Sequence, residues 1–168
     1  MNEVLDRWNK LAAAEAAEVI LPCCGSKAWS QKMAERRPIL SEAALLAASD
    51  EVWWSLLESD WLEAFRSHPR IGSAPRSADE RSAAWSRDEQ SEVGTASDGD
   101  KAMLAEANHG YEQRFGRIFI VCASGKSAAE ILQTLRHRLS TDAAEELRET
   151  AEQQRQISQI RLRKWLFE

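Results

Sequence analysis

The chain has little of what extended or stapled folds need. Its 168 residues include only 7 glycines and 4 prolines, too few for the dense turns of a β-sandwich or barrel. Cysteines number 3, and two of them, Cys23 and Cys24, are adjacent, so no disulfide framework is expected. No apolar run approaches the ~18 residues of a membrane-spanning helix. Residues 1–20 lack the order of a signal peptide, because Glu3, Asp6, Glu15 and Glu18 interrupt them. There is no basic block either. With 27 acidic against 22 basic side chains the net charge is −5, which argues against nucleic-acid and membrane-surface partners. No C-x-x-C pair or H-E-x-x-H pattern occurs, so a metal is not expected, and a phosphate loop and a dinucleotide fingerprint are likewise absent. The ending Trp165-Leu166-Phe167-Glu168 is not a peroxisomal address, and the expected location is cytoplasmic.

What the chain does have is helix-forming residues. Ala, Glu, Leu, Arg and Ser recur throughout, hydrophobic content is 43% and charge 29%, an ordinary globular balance. A chain of this length can bury roughly 68–70% of its unfolded surface, enough for one domain over residues 1–168 without a staple. The punctuation predicts an all-α fold of about eight helices with no significant sheet.

Ala13 to Cys23 carries apolar residues at helical spacing and stops at Gly25. Ser26 caps a helix with Trp29 and Met33 inward, and Ser41 caps a longer one with Leu45, Val52, Trp53 and Leu56. A short helix runs from Asp60 to Ser67, and Ile71 to Ala78 reads as a loop. Ser86 with Glu89 forms a capping-box pattern for a helix that Gly94 closes. Asp98 to Phe115 is a long helix with Met103, Leu104, Ala107 and Tyr111 inward. Ile118 to Cys122 is the single extended candidate. Ser127 and Glu130 make a second capping box, and the last helix runs from about Asp142 to Leu166. Seven tryptophans beside one tyrosine read mainly as core anchors.

Three segments could carry chemistry. In His68-Pro69-Arg70-Ile71-Gly72 the proline biases its predecessor away from the helix, so His68 falls at a helix end beside a loop. There its imidazole, which titrates near neutrality, suits proton transfer. Were Ser86 a cap, first-turn N–H groups, the Ser86 hydroxyl and Gln90 would offer donors to a small anionic or carbonyl-rich ligand. Gly116 before the apolar run marks a turn where backbone could approach a ligand. His109 and His137 read as surface residues, and the cysteines as buried packing residues.

Taken in order, these pieces resemble the family of 2-oxo-4-hydroxy-4-carboxy-5-ureidoimidazoline (OHCU) decarboxylases. The resemblance rests on Cys24-Gly25-Ser26 with Trp29, Asp60 to Phe65 leading into His68 to Gly72, Glu89-Gln90, and Asn108 to Tyr111. It continues through Arg114-Phe115-Gly116, Phe119 to Cys122 and Ile160-Arg161-Leu162, covering nearly the whole chain. It looks most like the bacterial branch. The resemblance implies a cofactor-free carboxy-lyase, commonly a homodimer, that turns OHCU into (S)-allantoin in urate breakdown. A functional link to urate oxidase and 5-hydroxyisourate hydrolase follows.

It also implies that His68 and Glu89 are catalytic. Pro69, Ser86, Gln90 and the segment Phe119, Ile120, Val121, Cys122 and Ala123 would bind substrate. The C-terminal substrate arginine falls on Arg161, with Arg163 close by. Two other readings remain open at this point: a non-enzymatic helical interaction module with an exposed tryptophan patch, and a lyase of the same fold acting on another ureido acid.

Overall fold

The computed structural model describes residues 2–73 and 79–168. Within them the chain is all-α, with no strand. The helices are α1 (Glu3–Lys10), α2 (Ala13–Ile20), α3 (Lys27–Glu35), α4 (Glu42–Trp54) and α5 (Glu58–Arg66). They continue as α6 (Glu80–Glu89), α7 (Ser91–Gly94), α8 (Asp98–Phe115), α9 (Ala128–Arg138) and α10 (Ala143–Trp165), with one 3-10 turn at Leu21–Cys23. The expected eight become ten among the described residues for two reasons. The first is α1, which the sequence reading did not predict. The second is the expected helix of Ser86 to Gly94, which is in fact two, α6 and α7. No helix among the described residues is long and apolar enough to cross a membrane.

Two compact units form: Met1–Ala64 with Arg155–Glu168, and Phe65–Gln154. Both α5 and α10 contribute residues to each.

The first unit is built on indole rings. Trp8, Trp29 and Trp53 are almost fully buried, beside Leu5, Ile20, Met33 and Leu45. Trp8 meets Trp165 edge-on at 5.7 Å, and Trp61 lies 5.8 Å from Trp53. Burying such a ring favours a partner for its N–H, although the Trp29 N–H has none. Trp8 donates to the Ala16 carbonyl at 2.8 Å and Trp61 to the Trp53 carbonyl at 3.0 Å. Helices α1, α3 and α4 start on side-chain caps, with Asn2 accepting from Leu5 N–H, Ser26 from Trp29 and Ser41 from Ala44, each satisfying an otherwise orphan donor.

The second unit is closed around Ile71, Val93, Leu104, Tyr111, Phe119, Val121, Ile131 and Leu135. On α8 the buried stripe is Leu104, Asn108 and Tyr111, at i, i+4 and i+7. Met103, expected inward, sits off this stripe and is 43% exposed. The Ser127–Glu130 capping box is present in full. Gly116 ends α8 with φ +70°, a left-handed value an L side chain resists, and releases the chain into the irregular run 118–123.

That unit also contains a buried ion pair. The Arg138 and Glu146 side chains, 4% and 0% exposed, are bonded to each other. Arg138 also donates to Thr150 Oγ1 and the Ile120 carbonyl, while the Tyr111 hydroxyl donates to Glu146. Burial and that bond push the Tyr111 phenol up to about 12.

Candidate active site

The His68 turn is held from several directions. Helix α5 ends at Arg66, and the His68 backbone N–H donates to the Phe65 carbonyl at 3.3 Å, closing the helix as the following proline requires. Its side chain is half-buried, and Nε2 stands 2.6 Å from the amide oxygen of Gln154, a fully buried residue of α10. Arg70 grips Glu112 of α8 through Nε and Nη2, and this carboxylate raises the guanidinium pKa. Asn108 donates to the Ile71 carbonyl at 3.3 Å. Gly72, at φ +84°, donates its N–H to Gln90 Oε1 at 2.9 Å. A side chain at position 72 would find open space but a strained backbone, so glycine is there for the turn. Part of the expected Ile71 to Ala78 loop, residues 74–78, lies outside the described residues.

Helix α6 corrects the expectation for Ser86. The cap is Asp79, whose side chain accepts from Ser82 N–H, and Ser86 lies two turns inside the helix. Asp79 and Ser86 are both residue types that cap helices. The burial of Ser82, Ala83 and Trp85 decides for the longer helix. Ser86, Glu89 and Gln90 therefore sit at the C-terminal end of α6, and Ser86 is not the first-turn cap that was expected. Gln90 has committed its oxygen to Gly72, which leaves its amide N–H groups as the donors it can present.

These two pieces meet around a cavity of about 340 Å³, within the range of small-molecule sites. Pro69, Gly72 and Ser73 wall one side, and Ser86, Gln90 and Val93 the other. Three residues implied by the resemblance, Pro69, Ser86 and Gln90, thus share one space.

The 118–123 run is the third piece. Phe119 through Ala123 are all buried. With no strand beside them, their backbone groups pair elsewhere. The Ile120 carbonyl accepts from Arg138 Nη1 at 2.6 Å, and the Cys122 N–H donates to Gln153 Oε1 at 2.9 Å. The Arg138 guanidinium stacks 4.6 Å over the Phe119 ring. Burial raises the Cys122 thiol pKa, Lys126 lowers it, and the nearby Glu89 carboxylate adds to the rise. Buried Glu89 is therefore brought up against this segment.

Arg161 belongs to the first unit. It is 1% exposed and donates to the Pro22 carbonyl at 3.2 Å, with its charge felt by the Cys24 thiol. Arg163 is half-exposed and paired with Glu42, so it is a surface residue. His109 and His137 are exposed, and all three cysteines are buried, as expected. No group of His, Cys, Asp and Glu among the described residues could hold a metal ion. The tryptophans do not form an exposed patch. Trp8, Trp29, Trp53, Trp85 and Trp165 are buried, and Trp54 is 41% exposed. Sequence reasoning missed Gln153, Gln154 and Arg138. Glutamine and arginine are ordinary helix residues, and nothing local marks them.

A helical fold with a small cavity at the turn that follows His68 matches known proteins over most of the chain. The sequence profile described as OHCU decarboxylase matches residues 9–163. The chain belongs to the OHCU decarboxylase family. It is 39% identical over 153 residues to the uric acid degradation bifunctional protein TTL of Arabidopsis thaliana, covering 84% of this chain and 44% of that protein. To the uric acid degradation bifunctional protein of Bacillus sp. (strain TB-90) it is 24% identical, covering 94% of this chain and 31% of that one. The chain thus spans less than half the length of these curated relatives. Among solved structures, OHCU decarboxylase in the presence of (S)-allantoin aligns with a TM-score of 0.76 and 31% identity, over 88% of this chain and 96% of that one. An (S)-allantoin synthase structure, at 17% identity and TM-score 0.70 over 96% of this chain and 53% of that one, shares the fold.

Proposed function

We propose that residues 1–168 act as one domain that decarboxylates OHCU to (S)-allantoin without a cofactor. The observation that carries this reading is the cavity where the His68 turn meets the end of α6, lined by Pro69, Ser86 and Gln90. The family membership and the likeness to a decarboxylase solved with (S)-allantoin support it.

The substrate's reacting carbon bears a carboxylate and a hydroxyl and adjoins a C=N bond. When its bond to the carboxylate breaks, the electron pair enters that C=N, whose nitrogen takes a proton from solvent. The resulting enol then loses its hydroxyl proton as the carbonyl forms, and the neighbouring carbon gains one. Both transfers need a group that can accept and return a proton, which imidazole does near neutrality. His68 and Glu89 form this acid–base pair, and general acid–base work of this kind contributes ~10²–10⁴-fold. Ser86, the Gln90 amide and the backbone of 119–123 hold the ureido and ring carbonyls, so that one face of the carbon is protonated. Arg161 clamps a carbonyl or carboxylate with its planar fork, which lysine cannot imitate.

The protein works as a homodimer in the cytoplasm, supplied by urate oxidase and 5-hydroxyisourate hydrolase, and its place in the bacterial branch is part of this proposal.

The test is circular dichroism of allantoin formed from urate with those two enzymes, with and without this protein. A fast (S)-allantoin signal, lost in His68→Ala and weakened in Arg161→Lys, is the expected result. Slow racemic product with the unaltered protein would refute the reading.

A further inference from the structure

Gln154 is wholly buried, and its amide oxygen, not its amide nitrogen, faces His68 Nε2 at 2.6 Å. Building on the proposed role of His68, we propose that Gln154 is a positioning residue that fixes the His68 ring as its Nε2–H tautomer. Nδ1 is then the nitrogen that exchanges protons with the substrate.

The argument is one of donors and acceptors. An amide oxygen carries lone pairs only, so the ring must donate from Nε2. Neutral imidazole has a single N–H, and placing it on Nε2 leaves the lone pair on Nδ1. When Nδ1 takes the hydroxyl proton of the enol, the ring becomes a cation and Nε2–H still donates. The bond is then charge-assisted and stronger. When Nδ1 returns that proton to carbon, the contact is again as it began. Exchange at Nε2 would instead have to break this short bond in every cycle.

Gln154 also differs from a carboxylate partner. A carboxylate would orient the ring and hold its charged form, whereas an amide orients it and adds no charge. Gln154 therefore fits a ring that must act as base and then as acid. Its neighbour Gln153 binds Cys122 N–H, so two consecutive side chains of α10 hold separate parts of the site.

The test is nitrogen-15 NMR of histidine-labelled protein at a pH where the ring is neutral, with His68→Ala to assign His68 among the 3 histidines. The expected spectrum has Nε2 protonated and Nδ1 bare. Gln154→Met should mix the tautomers and lower kcat on the order of 10²-fold, with KM little changed. Gln154→Glu, which restores an acceptor oxygen, should recover the tautomer and part of kcat. A native ring protonated on Nδ1 overturns the proposal, and so does a Gln154→Met variant that keeps tautomer and kcat. If that variant does not fold, the spectrum of the unaltered protein decides. If the unaltered protein makes no allantoin, the reaction reading fails while the spectra still decide on the ring.

Discussion

Each unit buries an arginine, and the two are held differently. In the second unit Arg138 has every nitrogen engaged within the chain. Nε and Nη2 meet Glu146, Nη2 also meets Thr150, and Nη1 meets the Ile120 carbonyl. In the first, Arg161 meets the Pro22 carbonyl, and its charge bears on the Cys24 thiol. Burial is nearly equal, so burial alone does not show what either arginine does. The nitrogens of Arg138 are all engaged within the chain, so Arg138 is scaffold. Arg161 is the arginine proposed to clamp substrate.

The most damaging way to break this comparison is Arg138→Met. It strands the Glu146 carboxylate in the interior, and a loss of ~3–5 kcal/mol in urea denaturation is expected. Adding Glu146→Leu should recover most of it, because the cost lies in the unpaired charge. A single variant as stable as the parent would remove Arg138 from the scaffold. Next comes Tyr111→Phe, which takes one donor from the same carboxylate and should cost ~1–3 kcal/mol.

A third measurement sets the units against each other by pH. Burial pushes the Cys24 thiol from 9.0 up to about 12 and, with the Glu146 bond, the Tyr111 phenol from 10.0 up to about 12. Both folded values lie above the unfolded ones, so this stability is complete below about pH 9 and falls as pH rises toward about 12. Melting temperatures across that window should decline, with Cys24→Ala removing the part that begins near 9.0 and Tyr111→Phe the part that begins near 10.0. A flat profile would mean that these groups ionise with equal ease in the folded and unfolded chain. The smallest effect is expected for Arg36→Ala. Its bond to Glu51 lies on the surface, and melting should register less than ~1 kcal/mol.

The helical class and most boundaries were legible because they are local. Ser26, Ser41 and the Ser127–Glu130 box announce their helices, and Pro69 ends the one before it. Helix α1 carried the same signals, with Asn2 as cap, acidic residues in its first turn and basic ones in its last. Its short apolar stripe of Leu5 and Trp8 is easily passed over among charges. Ser86 misled because two positions offered a cap and tertiary burial chose the other. Partners far apart in sequence left no local trace. Glu146 lies 35 residues from Tyr111, and Gln154 lies 86 from His68, so no spacing rule could join them. The cavity was half legible, since Pro69, Ser86 and Gln90 were named but the contacts that fix their turn, Arg70 to Glu112 and Asn108 to Ile71, were not.

The irregular run 118–123 takes its shape from side chains on α9 and α10 and not from a neighbouring strand. In a sheet, the register of one strand is locked by the main chain of the next and resists point mutation. Here a single codon change at Gln153 removes one of the supports of the run. Under the proposed function, in which this run holds substrate carbonyls, that gives natural variation and directed evolution alike an adjusting screw remote from the reacting atoms.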